Sequence, residues 1–557
     1  MKSHCGGCGQ AVTVRKGTEF CPHCGHKFKG DDTPAIQLDA VSKSYGGNEI
    51  LRNLSLTVHR GECLVVVGMS GSGKSVLLDH IIGFQKPDHG RVIVSGVVAN
   101  DSASHSPAVV PSEIGMVFQG SALLDSLTVL DNVELPLTIA GPVSSADRQR
   151  AGELLTAVGL PRSCHDRLPS QLSGGMQKRV GVARALITEP SIILYDEPTT
   201  GLDAATSTTI SKLIRSVQVK KPDLTSIVIT HDYLSAGYIA DRVLFLNRNT
   251  GQLQSVMSRE DIEEIRNTHG SDSARTVGAI REHLESYFSK LSTVPVMEIL
   301  EQRISPWSEV LMSIVVRPIK IAGTTITRMM ELSAPRFNTL FFRRVNDIGV
   351  LSLPVAASAG AFFGMMLAVQ LALGMLDSGI LDPLPKFVGS ALIDKVGPLV
   401  VGLLLAGRVA ASVSAEIGGK RLSRQFDACR AMSISPEVRW LSPIFWASVV
   451  SLPLLTIALE GSAIAGAWFV SVVRYHVKSS FFLSTVLDNV SIGTFSFGLF
   501  RTAVFGGVVA LVGYSQGSLE KRDSDQIGKA TTSAVVQASL AVITLDFVMT
   551  FVASLWK

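Results

Sequence analysis

Gly68-Met69-Ser70-Gly71-Ser72-Gly73-Lys74-Ser75, directly after the apolar run Leu64-Val65-Val66-Val67, is the stretch on which the fold of the first half of the chain turns. A strand that ends in a glycine-rich turn and opens a helix curls backbone N–H groups around phosphate. Lys74 then reaches the terminal phosphates, and the Ser75 hydroxyl is available to Mg²⁺. An ordinary Gly-rich turn is the competing reading, and the strand before it and helical pattern after it argue against that. Downstream, Ser191-Ile192-Ile193-Leu194-Tyr195-Asp196-Glu197 reads as a buried strand ending in two carboxylates. Neighbouring side chains on a strand point to opposite faces. Asp196 can therefore face a metal ion while Glu197 polarises a water molecule, the division of labour that phosphoryl transfer needs.

Working outward, short β-branched runs alternate with helical stretches from about residue 36 to 260, the rhythm of an α/β domain on a mainly parallel sheet. Residues 261–306 are charged and lack a long apolar run, and read as a helical linker. Trp307 to Leu332 mixes Arg317, Lys320 and Arg328 with Val, Ile and Met, as expected of an amphipathic helix in a membrane interface. Of the charged residues, about 28 lie in the last 212 positions and about 70 in the first 345. Within 333–557, five apolar stretches (349–376, 387–413, 441–473, 492–516 and 531–556) are each near or above the roughly 20 residues that cross a bilayer. The expected architecture is thus multidomain: an α/β nucleotide-binding domain followed by an all-α transmembrane domain.

Lys420, Arg421, Arg424, Arg430 and Arg439 lie between the second and third spans, and Lys521, Arg522 and Lys529 between the fourth and fifth. Both segments are therefore expected in the cytoplasm, with the C-terminus outside. Residues 414–432 read as a cytoplasmic loop able to form a short docking helix, against the plainer reading of cations that only set topology. Arg408, Glu460, Arg501 and Asp546 fall within or near span ends, where function and snorkelling are both open.

The chain of 557 residues is 46% hydrophobic with a mean hydropathy of +0.32, too apolar for a disordered chain or an ordinary soluble enzyme. A net charge of +4 lacks the basic excess of a nucleic-acid binder, so no nucleic-acid partner is expected. Four of seven cysteines form Cys5-x-x-Cys8 and Cys21-x-x-Cys24, a spacing suited to a closed tetrahedral Zn²⁺ site in a reducing compartment. Redox use of a single C-x-x-C pair is the alternative. His4, His23 and His26 are not needed as ligands, and Cys63, Cys164 and Cys429 read as small core or loop residues. Residues 1–30 resemble a zinc ribbon, and with no apolar run they do not read as a signal peptide.

Leu172-Ser173-Gly174-Gly175-Met176-Gln177 lies just upstream of Asp196. With it, residues 36–260 resemble the ATPase domain of ABC transporters, whose signature is LSGGQ; Met176 stands where the commonest signature has Gln. The resemblance implies ATP and Mg²⁺ as cofactors. It implies that Gly68, Ser70, Gly71, Gly73, Lys74 and Ser75 hold phosphate, that Tyr45 stacks on adenine, and that Ser75, Gln119 and Asp196 hold magnesium. It further implies Glu197 as the base, His231 as the γ-phosphate contact and Asp203 as the D-loop residue. Ser173, Gly174 and Gly175 would complete a second chain's site, so a homodimer is implied.

Val396-Gly397-Pro398-Leu399, Ala406-Gly407-Arg408-Val409, Ala415-Glu416-Ile417-Gly418, Gln425-Phe426-Asp427-Ala428 and Pro453-Leu454-Leu455-Thr456 follow in order. That run resembles the MlaE-type permeases of phospholipid transport systems, which work with MCE-domain proteins. Asp394-Lys395 and Arg424 depart from that family's usual charges. The combined expectation is an ATP-driven transporter moving phospholipid between the bacterial inner membrane and an MCE-type partner, with the ATPase and zinc ribbon in the cytoplasm. The alternatives are a sterol or other hydrophobic cargo, or a membrane-bound ATPase that regulates a partner.

Overall fold

The computed structural model describes residues 2–4, 11–13, 34–45, 48–69, 71–103, 113–139, 141–270, 274–291, 337–376, 381–519 and 524–555. Cys5, Cys8, Cys21, Cys24, Ser70, Lys521, Arg522 and the interfacial segment 307–332 lie outside them. So does most of the expected linker beyond Leu291. The chain divides into two compact units, one of residues 1–303 with 424–434 and the other of residues 304–423 with 435–557.

In the first unit, Lys2–His4 and Ala11–Thr13 pair as an antiparallel hairpin, and the connection between them holds Cys5 and Cys8 in sequence. The main sheet runs Leu253–Met257, Arg242–Leu246, Cys63–Val67, Thr225–Thr230, Ile192–Asp196, Ile114–Val117. Every neighbouring pair is parallel except the first, which is antiparallel. Strands covered on both faces read as continuous apolar runs, and Cys63–Val67, Ile192–Asp196 and Thr225–Thr230 are buried throughout. A second sheet, wholly antiparallel, orders Asn48–His59, Pro34–Tyr45, His89–Val94 and Val97–Asp101. Two apolar clusters result, one on each side of the parallel sheet.

The expected linker is helical over Arg259–His269 and Ala274–Leu291, but it is no tether. Ile262, Ile280 and Leu284 are fully buried in the same cluster as Val65 and Tyr195. The apolar positions 277, 280 and 284 recur at helical spacing, and a charged sequence around them hid that stripe.

Among the described residues, the second unit contains five helices long and apolar enough to cross a membrane: Leu340–Met375, Gly397–Leu422, Glu437–Tyr475, Ile492–Gly517 and Ser524–Leu555. The number agrees with the sequence expectation; the bounds do not in every case, since the first and fifth helices start at Leu340 and Ser524, ahead of the expected 349 and 531, and the second is shifted toward the C-terminus at both ends. Residues 414–422, expected in a loop, continue that helix on Ala411–Leu422. Glu416 is not a solvated loop carboxylate there, because Arg344 Nη1 lies 2.6 Å from its Oε2 and Lys420 pairs with it one turn on. The second helix also contains a π-helical turn, Ala406–Ala410, from which Arg408 donates to the Leu351 carbonyl at 2.9 Å and the Ser352 hydroxyl at 2.7 Å. Arg501, with its side chain 2% exposed, pairs with Asp546 and donates to the Asp394 carbonyl at 3.1 Å. Pairing of this kind is what intramembrane charge requires.

Helices Leu353–Leu376 and Ser442–Tyr475 meet through small residues. A Cβ on Gly364 would overlap the Ala463 carbonyl, one on Gly360 the Ser462 hydroxyl, and one on Gly466 the Ala361 carbonyl. Gly360-Ala-Phe-Phe-Gly364 is a GxxxG pattern, which lets two helix backbones approach closely in a membrane.

Candidate nucleotide site

Lys74 opens the helix Lys74–Ile81 with Gly73 at its N-cap in the left-handed region, φ 94°. Only glycine adopts that conformation freely, and a Cβ there would also lie 2.7 Å from Ile50 Cγ2. Lys74 Nζ donates to the carbonyls of Gly68 at 2.8 Å and Met69 at 2.9 Å, so the lysine closes the turn on itself. Burial lowers the Lys74 pKa, and the carboxylates of Glu197 and Asp196 oppose the shift.

Asp196 ends its strand fully buried and accepts from the Ser75 hydroxyl at 3.1 Å. Burial raises its pKa, with Arg424 and Ser75 opposing. Glu197 follows with φ 44°, a strained conformation for a residue with a Cβ. Its N–H is held by the Ile229 carbonyl at 2.9 Å. Its Oε2 accepts from Gln119 Nε2 at 3.1 Å and Thr200 Oγ1 at 2.7 Å. Lys74 Nζ is 3.8 Å from Oε1, and His231 Nδ1, on a side chain 57% exposed, is 3.5 Å from Oε2. Lys74, Ser75, Gln119, Asp196, Glu197 and His231 thus form one connected set, from residues spread over more than 150 positions.

Ser173, Gly174, Gly175 and Asp203 form a second set, with no hydrogen bond to the first among the described residues. Ser173 caps the helix Gly174–Leu186, accepting from Met176 N–H at 3.4 Å, and it and Gly174 are exposed. Asp203 caps Ala204–Lys220, accepting from the N–H groups of Ala205 and Thr206. The two helix starts touch, since a Cβ on Gly175 would run into Thr206. An exposed helix N-terminus suits a phosphate from outside the chain. Tyr45 ends the strand Pro34–Tyr45, exposed, with its hydroxyl donating to Gln85.

Three charged residues with a place in this region were not singled out as site residues from sequence. Lys178, on the signature helix, donates to the Gln119 carbonyl and, at 3.4 Å, to that of Glu197. Burial lowers its pKa to about 8 against the pull of Asp196 and Glu197. It therefore remains mostly cationic at neutral pH. Arg184 is buried and donates to the Ala122 and Ser121 carbonyls at 2.7 and 2.8 Å. Arg424 Nη1 lies 2.9 Å from Asp196 Oδ2. Lys178 and Arg184 lie six residues apart on Gly174–Leu186 and are buried there along with Val180, Val182, Ala183 and Ala185, and a cation among such apolar neighbours is a usable signal; Arg424 stands out in the sequence only as one of the basic residues between the second and third spans.

The helix Gln425–Ala431 belongs to this unit although it lies between the second and third spans in sequence. Ala428 is 1% exposed in the cluster that contains Phe118, Ala122 and Leu194. Gln425 Nε2 donates to Asp125 at 2.7 Å. The short docking helix expected within 414–432 is thus present, but confined to 425–431.

The residues fit a nucleotide and a hard dication. The Gly68–Ser75 turn offers a cradle that a Cβ on Gly68 would fill, lying 2.7 Å from Ser72 Oγ, and Ser75 and Asp196 supply oxygen donors. Among the described residues no cluster of three or more His, Cys, Asp or Glu forms a further metal site.

Residues 51–200 match the ABC transporter family and 341–552 the permease MlaE family. The methionine import ATP-binding protein MetN 1 of Rhodopseudomonas palustris is 42% identical over 217 residues, 38% of this chain and 58% of that protein. The chain therefore spans a little over half the length of that relative. The methionine import ATP-binding protein MetN of Rhizobium etli is 35% identical over 270 residues, 48% of this chain and 72% of that protein. A solved dimeric ATP-binding cassette in a post-hydrolysis state with ADP and Pi is 34% identical, covers 40% of this chain and 98% of its own, and has a TM-score of 0.36. With its phosphate turn, paired strand-end carboxylates and signature helix, and with the Rhizobium etli relative covered over 72% of its length, the chain belongs to the ABC transporter family and joins an ABC ATPase domain to an MlaE permease domain in one polypeptide.

Proposed function

We propose that this protein couples ATP hydrolysis to the movement of phospholipid at the bacterial inner membrane, working as a homodimer with an MCE-domain partner. The observation that carries the reading is the match of residues 341–552 to the permease MlaE family, in the same chain as an ATPase site. The relatives named for methionine import are ATP-binding proteins that cover 38% and 48% of this chain, whereas the cargo path is read in the membrane unit, which matches the permease MlaE family. A methionine cargo is therefore a poorer reading.

In the proposed reaction, Gly68, Ser70, Gly71, Gly73 and Lys74 hold the phosphates and Tyr45 the adenine, while Ser75, Asp196 and Gln119 hold Mg²⁺. Bound there, Mg²⁺ supplies positive charge against the terminal phosphates. Glu197 orients the attacking water and takes its proton, His231 contacts the γ-phosphate, and Lys74 neutralises developing charge. Ser173, Gly174, Gly175 and Asp203 serve the second chain's site: Ser173, Gly174 and Asp203 are exposed in their own chain, and Gly175 is buried directly behind them.

Lipid mass spectrometry of the purified protein, with transfer of fluorescent phospholipid from proteoliposomes, tests the cargo. We expect co-purifying phospholipid and ATP-dependent transfer to an MCE-type acceptor. Transfer of sterol alone, or hydrolysis stimulated by methionine and not by lipid, would replace this reading.

We also propose one Zn²⁺ per chain on Cys5, Cys8, Cys21 and Cys24. The spacing of the pairs and the hairpin that flanks the first support it. Elemental analysis should give one zinc per chain in the parent and a marked loss in Cys21→Ser, and deletion of residues 1–30 should leave basal hydrolysis largely intact. Substoichiometric zinc unchanged by Cys21→Ser would count against the site.

A further inference from the structure

We propose that Arg424 is an electrostatic latch on the magnesium carboxylate, so that Arg424 and Mg²⁺–nucleotide compete for Asp196. The inference rests on the reading of Asp196 as a magnesium ligand. Asp196 is fully buried, and a buried carboxylate is costly unless its charge is met. Ser75 meets one oxygen with a hydrogen bond, and the guanidinium of Arg424 meets the other at 2.9 Å. Lys74 acts on Asp196 only through space, because its hydrogen bonds go to the Gly68 and Met69 carbonyls.

A dication bound by Ser75 and Asp196 would sit beside the same two carboxylate oxygens. Two cations on one buried carboxylate repel, so binding of one weakens the other. Departure of Arg424 has consequences along the chain. It is the N-cap of Gln425–Ala431, in the left-handed region at φ 56°, and only Ser423 separates it from the helix Ala411–Leu422, which continues the second span. Its release removes one of the contacts that hold the segment joining two spans, beside the Gln425–Asp125 bond and the buried Ala428, at the moment nucleotide binds. By reciprocity, whatever draws Arg424 from Asp196 strengthens magnesium–nucleotide binding by the same factor.

The test is titration of the full-length protein with a fluorescent ATP analogue in Mg²⁺ and in EDTA. Arg424→Ala should tighten binding in Mg²⁺ by about five- to tenfold, at the lower end of typical coupling, and leave binding in EDTA unchanged. Arg424→Lys, which keeps the charge, should fall between. Gln425→Ala loosens the same helix by removing its bond to Asp125 and should keep the parental Mg²⁺ dependence. The latch is wrong if Arg424→Ala binds no tighter in Mg²⁺, if it tightens equally in EDTA, or if Gln425→Ala reproduces its effect. Asp196→Asn distinguishes failure of the premise: if it retains full Mg²⁺ dependence, the assignment of Asp196, and not only the latch, falls.

Discussion

Glu197→Gln keeps ATP binding and lowers turnover by about 10²–10⁴-fold, the usual contribution of a positioned acid or base. The reason lies in how the carboxylate is held. Oε2 already accepts from Gln119 and Thr200, at 3.1 and 2.7 Å, and an amide oxygen in the same place preserves both bonds. The side chain therefore stays where it is and the phosphate turn is undisturbed. What is lost is the ability to accept a proton, together with a negative charge 3.8 Å from the Lys74 ammonium. Asp196 remains to stabilise that ammonium, so nucleotide affinity should change little. Phosphate release and equilibrium nucleotide binding, measured on one preparation, check this. Parental hydrolysis by the variant would remove Glu197 from the reaction; loss of both activities together would point instead to a collapsed site, contrary to the preserved hydrogen bonds.

Gly364→Leu should abolish recovery of a folded membrane unit. The space its side chain needs is occupied by the Ala463 carbonyl, a backbone atom that no rotamer change can move. Ordinary overpacking costs about 1–3 kcal/mol because side chains give way, and here the two helix backbones must separate. Separation would undo the packing along Gly360, Gly364 and Gly466 together, since each faces the opposing helix at close approach. Gly374, on the same helix, has nothing within 4 Å of its missing Cβ, so Gly374→Leu controls for the chemistry of the substitution. Monodisperse yield in detergent and the thermal midpoint distinguish the two variants. Equal recovery of both would show that the close crossing contributes little.

The contrast between these two sites marks how far the sequence reaches. The nucleotide site was legible because phosphate chemistry demands particular residues at particular spacings. Gly68 to Ser75 must be contiguous to form a cradle, and Asp196 and Glu197 must be adjacent to face two ways from a strand end. The number of spans was legible for a similar reason, as bilayer thickness sets a minimum apolar length. Gly360-Ala-Phe-Phe-Gly364 was present but silent: many membrane helices contain two glycines at that spacing, and only the partner helix shows that backbone fills the gap.

Composition misled where charge and burial alternate within one helix. Residues 274–291 are charged enough to read as a linker, yet Ile280 and Leu284 complete the ATPase core. Basic residues between the second and third spans led to the expectation of one cytoplasmic loop, and composition could not tell that Glu416 lies in a helix and pairs with Arg344 while Ala428 is buried among Phe118 and Leu194.

What the sequence by itself determined is the set of local chemistries: a phosphate turn, a carboxylate pair, a signature helix start and five apolar spans. What only the tertiary structure decided is which distant groups share a charge. Arg424 and Asp196 are separated by 228 positions and meet at 2.9 Å. Nothing in either one's neighbourhood announces the pairing, because an ion pair is set by where two surfaces come together, whereas a motif is set by the covalent spacing of the chain.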